Sequence, residues 1–103
     1  MDEAYVELVL TAVEQIPVGQ VASYGDIAEL VGRGGPRQVG QVMSRYGSPV
    51  PWWRVVRADG RPVAGLEQEA LALLRSEGVP LRGDRVDLGR ARFRPQGEPA
   101  GQF

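Results

Sequence analysis

Tyr5, Leu8, Val9, Ala12, Val13 and Ile16 recur at helical spacing, so residues 2–15 are expected to form an amphipathic helix that ends before Pro17. The acids of this segment also suit the positive end of a helix dipole. PVGQVA, residues 17–22, reads as a turn and a short extended segment. Ser23 then offers an N-cap with Asp26 three residues on, which predicts a second, short helix over about 24–31. GRGGP is a turn whose proline suits the first residue of the next helix, over about 36–46. There Val39, Val42, Met43 and Tyr46 form one inward stripe and leave Arg37, Gln38, Gln41, Ser44 and Arg45 on the other faces.

Further along, RVVR and RPV flank ADG, a turn signal that predicts a small hairpin at 54–63, the wing. Residues 66–77 predict a final helix with Leu66, Ala70, Leu73 and Leu74 inward and Gly78 closing it. The segment 79–94 is expected to hold an extended strand around Val86 and Leu88. The whole reads as mainly α: a winged helix-turn-helix-like single domain, residues 1–94, with four to five helices and a small β-hairpin wing. Residues 95–103, rich in Pro and Gly, are expected to be a flexible tail.

Length agrees with one domain, since 103 residues bury a core only if nearly every amphipathic element contributes. No apolar run approaches the roughly 18–20 residues that span a bilayer, and MDEAYVELVL lacks the basic start of a secretory signal. A soluble, cytoplasmic protein without membrane contact is expected.

Cysteine and histidine are both absent, which excludes disulfides, thiolate chemistry, imidazole bases and the usual zinc ligands. No cofactor or metal is expected, and few catalytic schemes survive. All twelve cations are arginine, the better forked donor to phosphate and guanine. The net charge of -1 conceals an asymmetry: residues 1–29 carry six acids and no base, residues 30–58 five bases and no acid. A nearly neutral protein can thus present one face whose positive field gathers phosphates.

Two short helices joined by a glycine turn, the second basic and polar outward, outline a helix-turn-helix. Many helical hairpins share that outline, so by itself it leaves DNA binding open. Gly40 inside the third helix costs about 1 kcal/mol relative to alanine, which suggests that a neighbouring helix or a DNA backbone approaches there.

The ordered set IPVGQVASYGDIAELVG, RQVGQVM, PWWRVV and LLRSEGV is specific. Over residues 5 to about 81 the chain resembles the DNA-binding domain of the O6-alkylguanine-DNA alkyltransferases. In that family the central motif reads Pro-Cys-His-Arg-Val, whose cysteine accepts the alkyl group and whose histidine helps form its thiolate. Trp52 and Trp53 stand at those two positions here. An indole cannot serve as the nucleophile, so the sequence resembles the alkyltransferase-like, non-enzymatic branch of the family. That resemblance implies a protein that binds O6-alkylguanine in duplex DNA, flips it out, bends the DNA and flags it for nucleotide excision repair. The implied partners are double-stranded DNA containing O6-alkylguanine and excision-repair proteins; the protein is expected to be monomeric and nucleoid-associated when bound.

Residue by residue, the resemblance assigns Trp52 as the wall of the lesion pocket, an indole offering broad apolar surface and one N–H donor. Tyr24 matches the tyrosine that turns the phosphate beside the lesion; Val50, Pro51 and Trp53 are expected to complete the pocket. Arg37 matches the arginine finger that fills the space left by the extruded guanine. Ser23, Gln38, Gln41, Ser44 and Arg45 are expected to contact the DNA backbone, and Arg54 to brace the pocket from below. Family members carry a longer loop after the hairpin glycine, with a basic residue that senses the lesion. Here Gly60 is followed only by RPVAGL, leaving Arg61 as the candidate lesion sensor. The alternative is a winged-helix regulator that reads sequence and uses both tryptophans as core.

Overall fold

The computed structural model describes residues 2–95. The tail expected at 95–103 therefore lies, beyond Pro95, outside the described residues. Helix α1, Glu3–Glu14, starts at Asp2, whose Oδ1 accepts the Ala4 N–H at 2.9 Å. Strand β1, Ala22–Ser23, leads straight into α2, Tyr24–Val31. A full capping box opens α2: Ser23 Oγ accepts the Asp26 N–H and Asp26 Oδ2 accepts the Ser23 N–H, each at 3.0 Å. Helix α3, Pro36–Tyr46, has proline in its first turn and the Gln38 side chain accepting the Gly35 N–H at 2.9 Å. These boundaries agree with the sequence pattern because each is set by local capping groups. Among the described residues, no helix is long and apolar enough to cross a membrane.

The expected hairpin at 54–63 does not form. A short 3-10 turn, Trp52–Arg54, runs into β2, Val55–Val56, which pairs in parallel with β1, Ala22 opposite Val55 and Ser23 opposite Val56. Two consecutive buried valines need cover on both sides, and a parallel partner between two packed layers provides it. Pro62 is fully buried and offers no N–H to a returning strand. The antiparallel hairpin lies later, between β3, Leu81–Arg82, and β4, Arg85–Val86, after α4, Glu67–Ser76. Leu88, expected in a strand, opens the short helix α5, Leu88–Ala91.

The β1–β2 pair divides the core. Ala22 and Val55 face a cluster built by α1, α2 and α3 around Val9, Val13, Ile27, Val39 and Val42. Their neighbours Val21 and Val56 face a second cluster with Leu74, Val79, Val86 and Ala91. Successive extended residues point to opposite faces, so β2, and β1 together with the Val21 that precedes it, supply both cores. Three expected core positions are exposed instead: Leu8, Tyr46 and Leu66. In α4 the buried set is Ala70, Leu71 and Leu74, with Leu73 half-buried, because the helix is rotated toward the 3-10 turn it packs on.

Candidate nucleic-acid interface

The two adjacent indoles have separate environments. Trp53 packs against the second core cluster, and its Nε1 donates to Glu77 Oε2 at 2.9 Å. Arg54 grips the same carboxylate with two bonds, Nε to Oε1 at 3.0 Å and Nη2 to Oε2 at 2.8 Å. Its Nη1 donates to the Ile16 carbonyl at 2.9 Å, and its guanidinium lies 5.5 Å from the Trp53 ring centroid. Arg54 is thus an internal brace, tying the end of α1, the 3-10 turn and the end of α4 together. The Arg54 hydrogen bonds hold the Glu77 carboxyl below its ordinary range, against burial, with help from the Trp53 N–H and the Arg54 charge.

Trp52 belongs to neither core cluster. It meets Trp53 edge to face and lines a cavity of about 390 Å³ between α2, α3 and the segment before α4. Met43, Val63 and Leu66 extend its apolar wall; Tyr24, Ser44, Arg45 and Glu69 supply polar groups. Leu66 is therefore exposed toward the cavity rather than lost from the core. Of the residues expected in the pocket, Trp52 and Tyr24 are brought together. Val50 is buried in the helical core, and Pro51, half-buried, and Trp53 are absent from this cavity's wall.

A second depression of about 390 Å³ adjoins the first, lined by Ser23, Tyr24, Gly25, Arg37, Gly40 and Arg57 among others. Tyr24 and Gly40 line both, so they stand between the Trp52 cavity and the arginine side. Burial pushes the Tyr24 hydroxyl up, opposed by the Arg57 charge. A Cβ on Gly40 would meet nothing within 4 Å, so no neighbouring helix approaches it.

Of the expected backbone contacts, Gln41, Ser44 and Arg45 are exposed on α3. Gln38 is exposed but engaged in capping, and Ser23 is buried, its Oγ accepting from Asp26. Arg61 lies in neither depression and pairs with Asp59 at 3.8 Å. Arg57 was missed from the sequence, although it is the last base of the acid-free run 30–58; Met43 and Leu66 were missed as cavity walls because helical periodicity assigns such residues to a core, and Val63 because it was read as an arm of the hairpin.

A larger depression, about 760 Å³, lies between α1 and α2 with Glu3 and Glu7 on its rim. Its charge opposes an anionic ligand, so the smaller paired depressions are the better interface. Among the described residues, no group of three or more acids could hold a metal ion.

Comparison with known proteins gives a consistent answer. Residues 4–79 match the family described as 6-O-methylguanine DNA methyltransferase, DNA binding domain. The chain is 39% identical over 99 residues to the DNA base-flipping protein of Escherichia coli, covering 89% of this chain and 76% of that protein. It is 41% identical over 88 residues to Alkyltransferase-like protein 1 of Schizosaccharomyces pombe, covering 79% and 81%. The fold superimposes with a TM-score of 0.79 on S. pombe Atl1, crystallised in complex with damaged DNA containing O6-carboxymethylguanine, at 31% identity over 92% of this chain and 99% of that one.

Proposed function

The chain belongs to the family of 6-O-methylguanine DNA methyltransferase DNA-binding domains, and from that premise we propose that it recognises O6-alkylguanine in duplex DNA without chemically repairing it. The relatives support the reading: one is named a base-flipping protein, and another was crystallised on DNA with an O6-modified guanine. The chain contains no cysteine to accept an alkyl group and no histidine to activate one.

The observation that carries the proposal is the placement of Trp52 as an apolar wall of an open cavity that also holds Tyr24. The cavity's volume falls in the range of about 300–1,000 Å³ typical of small-ligand sites. An everted base with an alkylated O6 is bulkier and less polar than guanine; stacking on an indole favours it by about 1–3 kcal/mol. Extrusion costs a few kcal/mol; Arg37 lines the adjoining depression, and on this reading it enters the vacated stack and offsets part of that cost. Tyr24, shared by both depressions, turns the phosphate between the two positions. Exposed Ser44 and Arg45 hold the strand. The bent, everted duplex is then the signal that excision-repair proteins read, which makes the protein a marker rather than a reagent.

The test is titration of one duplex with and without a single O6-methylguanine. A preference of at least about tenfold, roughly 1.4 kcal/mol, is expected. Equal affinities would favour a sequence-reading regulator, and labelled methyl appearing on the protein would make it an enzyme.

A further inference from the structure

The turn at 57–61 and the β3–β4 hairpin form one charged surface beside the arginine depression. The turn closes through Arg57 N–H to the Arg61 carbonyl at 2.9 Å and Gly60 N–H to the Arg57 carbonyl at 2.8 Å. Val86 N–H then donates to the Gly60 carbonyl at 2.8 Å, stitching turn to hairpin. Gly60 has φ +90°, and a Cβ there would run into the Val86 carbonyl, so the turn lies flush against the hairpin. This contact brings the turn that carries Arg57, Asp59 and Arg61 against the hairpin strand that carries Arg85.

That carboxyl is held below its ordinary range, first by the Arg61 N–H it accepts and then by the charges of Arg61, Arg85 and Arg57. Arg61 is half-exposed and pairs with Asp59 only at 3.8 Å. Among the described residues neither Arg57 nor Arg85 has an ion-pair partner. Turn and hairpin together carry Arg57, Arg61, Arg82 and Arg85 against Asp59 and Asp84, a net positive surface, and Arg57 joins it to the depression that holds Arg37.

We propose that Arg57, Arg61 and Arg85 bind a backbone phosphate of the duplex outside the lesion cavity, in competition with the Asp59 carboxylate that faces them in the free protein. The inference rests on the reading that this protein binds duplex DNA. Guanidinium forks donate to carboxylate and phosphate oxygens alike, so the two anions can exchange. Because a phosphate carries no base identity, this surface adds grip on any sequence, and Asp59 tempers that grip without touching lesion discrimination. Arg61 on this reading is a backbone contact rather than a lesion sensor.

The experiment titrates damaged and undamaged duplexes over a salt series with the wild type, Arg57→Ser, Arg85→Ser and Asp59→Asn. Asparagine can still accept the Arg61 N–H but carries no charge. Each arginine variant is expected to flatten the slope of log K against log salt by about one and weaken both duplexes alike. Asp59→Asn is expected to tighten both by about two- to fivefold, the effect of one exposed charge pair. Wild-type slopes in both arginine variants, or an Asp59→Asn protein that binds no tighter, would overturn the proposal. Flattened slopes with no lesion preference in the wild type would sink the damage reading and leave the phosphate surface standing.

Discussion

Trp52 and Trp53 meet edge to face, their ring centroids 5.6 Å apart and their planes at 88°, and of the pair Trp53 is the one anchored to a carboxylate. A ring quadrupole favours this arrangement, so the anchored indole presents its neighbour to the cavity at a set angle. One tryptophan serves the fold and the other is free to serve a ligand.

That division predicts opposite phenotypes for neighbouring substitutions. Trp52→Ala is expected to lower the preference for damaged duplex by about 1–3 kcal/mol while leaving undamaged binding nearly unchanged. Trp53→Ala is expected to cost about 3–5 kcal/mol of stability in urea unfolding, as a large ring lost from a packed cluster. Equal damage to stability from both would mean that Trp52 is core.

Glu77 makes the brace acid-sensitive. Its carboxyl is depressed in the folded protein, so its contribution is fully present above the ordinary value of 4.5 and is lost as pH falls through the folded value. Thermal unfolding followed from pH 7 to pH 3 should show this loss in the wild type and a flatter profile in Glu77→Gln. At neutral pH that variant should be less stable by roughly 1–3 kcal/mol, having left the Arg54 guanidinium without its counter-charge.

Arg37 is exposed and lies outside both cores, so Arg37→Ala should fold as the wild type does. Lesion binding should weaken, and a fluorescent base opposite cytosine should be flipped to a smaller extent. Unchanged flipping would remove Arg37 from the role of finger.

Gly40→Ala separates folding from binding. With open space for a Cβ in mid-helix, alanine should stabilise the protein by about 1 kcal/mol. If the strand approaches α3 at this point, the same methyl should weaken binding to both duplexes; unaltered affinity would show that it does not.

The elements legible in the sequence were those whose signals are local. Ser23 with Asp26, and Pro36 after its glycines, mark two helix starts that can be read within four residues. Trp52 and Tyr24 were found by motif, and the cavity joins them. What escaped was set by pairing between distant segments. Val55–Val56 looked like one arm of a hairpin because the turn signal followed directly, yet its partner is Ala22–Ser23. Arg57 acquires its neighbourhood only when Gly60 meets Val86, a contact that no short window contains. Leu66 carried a correct apolar signal with the wrong destination, since periodicity cannot tell a core wall from a cavity wall.

The β1–β2 ladder is only two rungs long, yet β2 plants Val55 in one core and Val56 in the other, as Ala22 and the Val21 just before β1 do on the facing side. Melting either half therefore strips cover from the other, so calorimetry should record a single transition with matching van't Hoff and measured enthalpies. A protein built this way has no spare hinge between its halves: on the proposed reading, whatever deformation recognition demands falls to the nucleic acid.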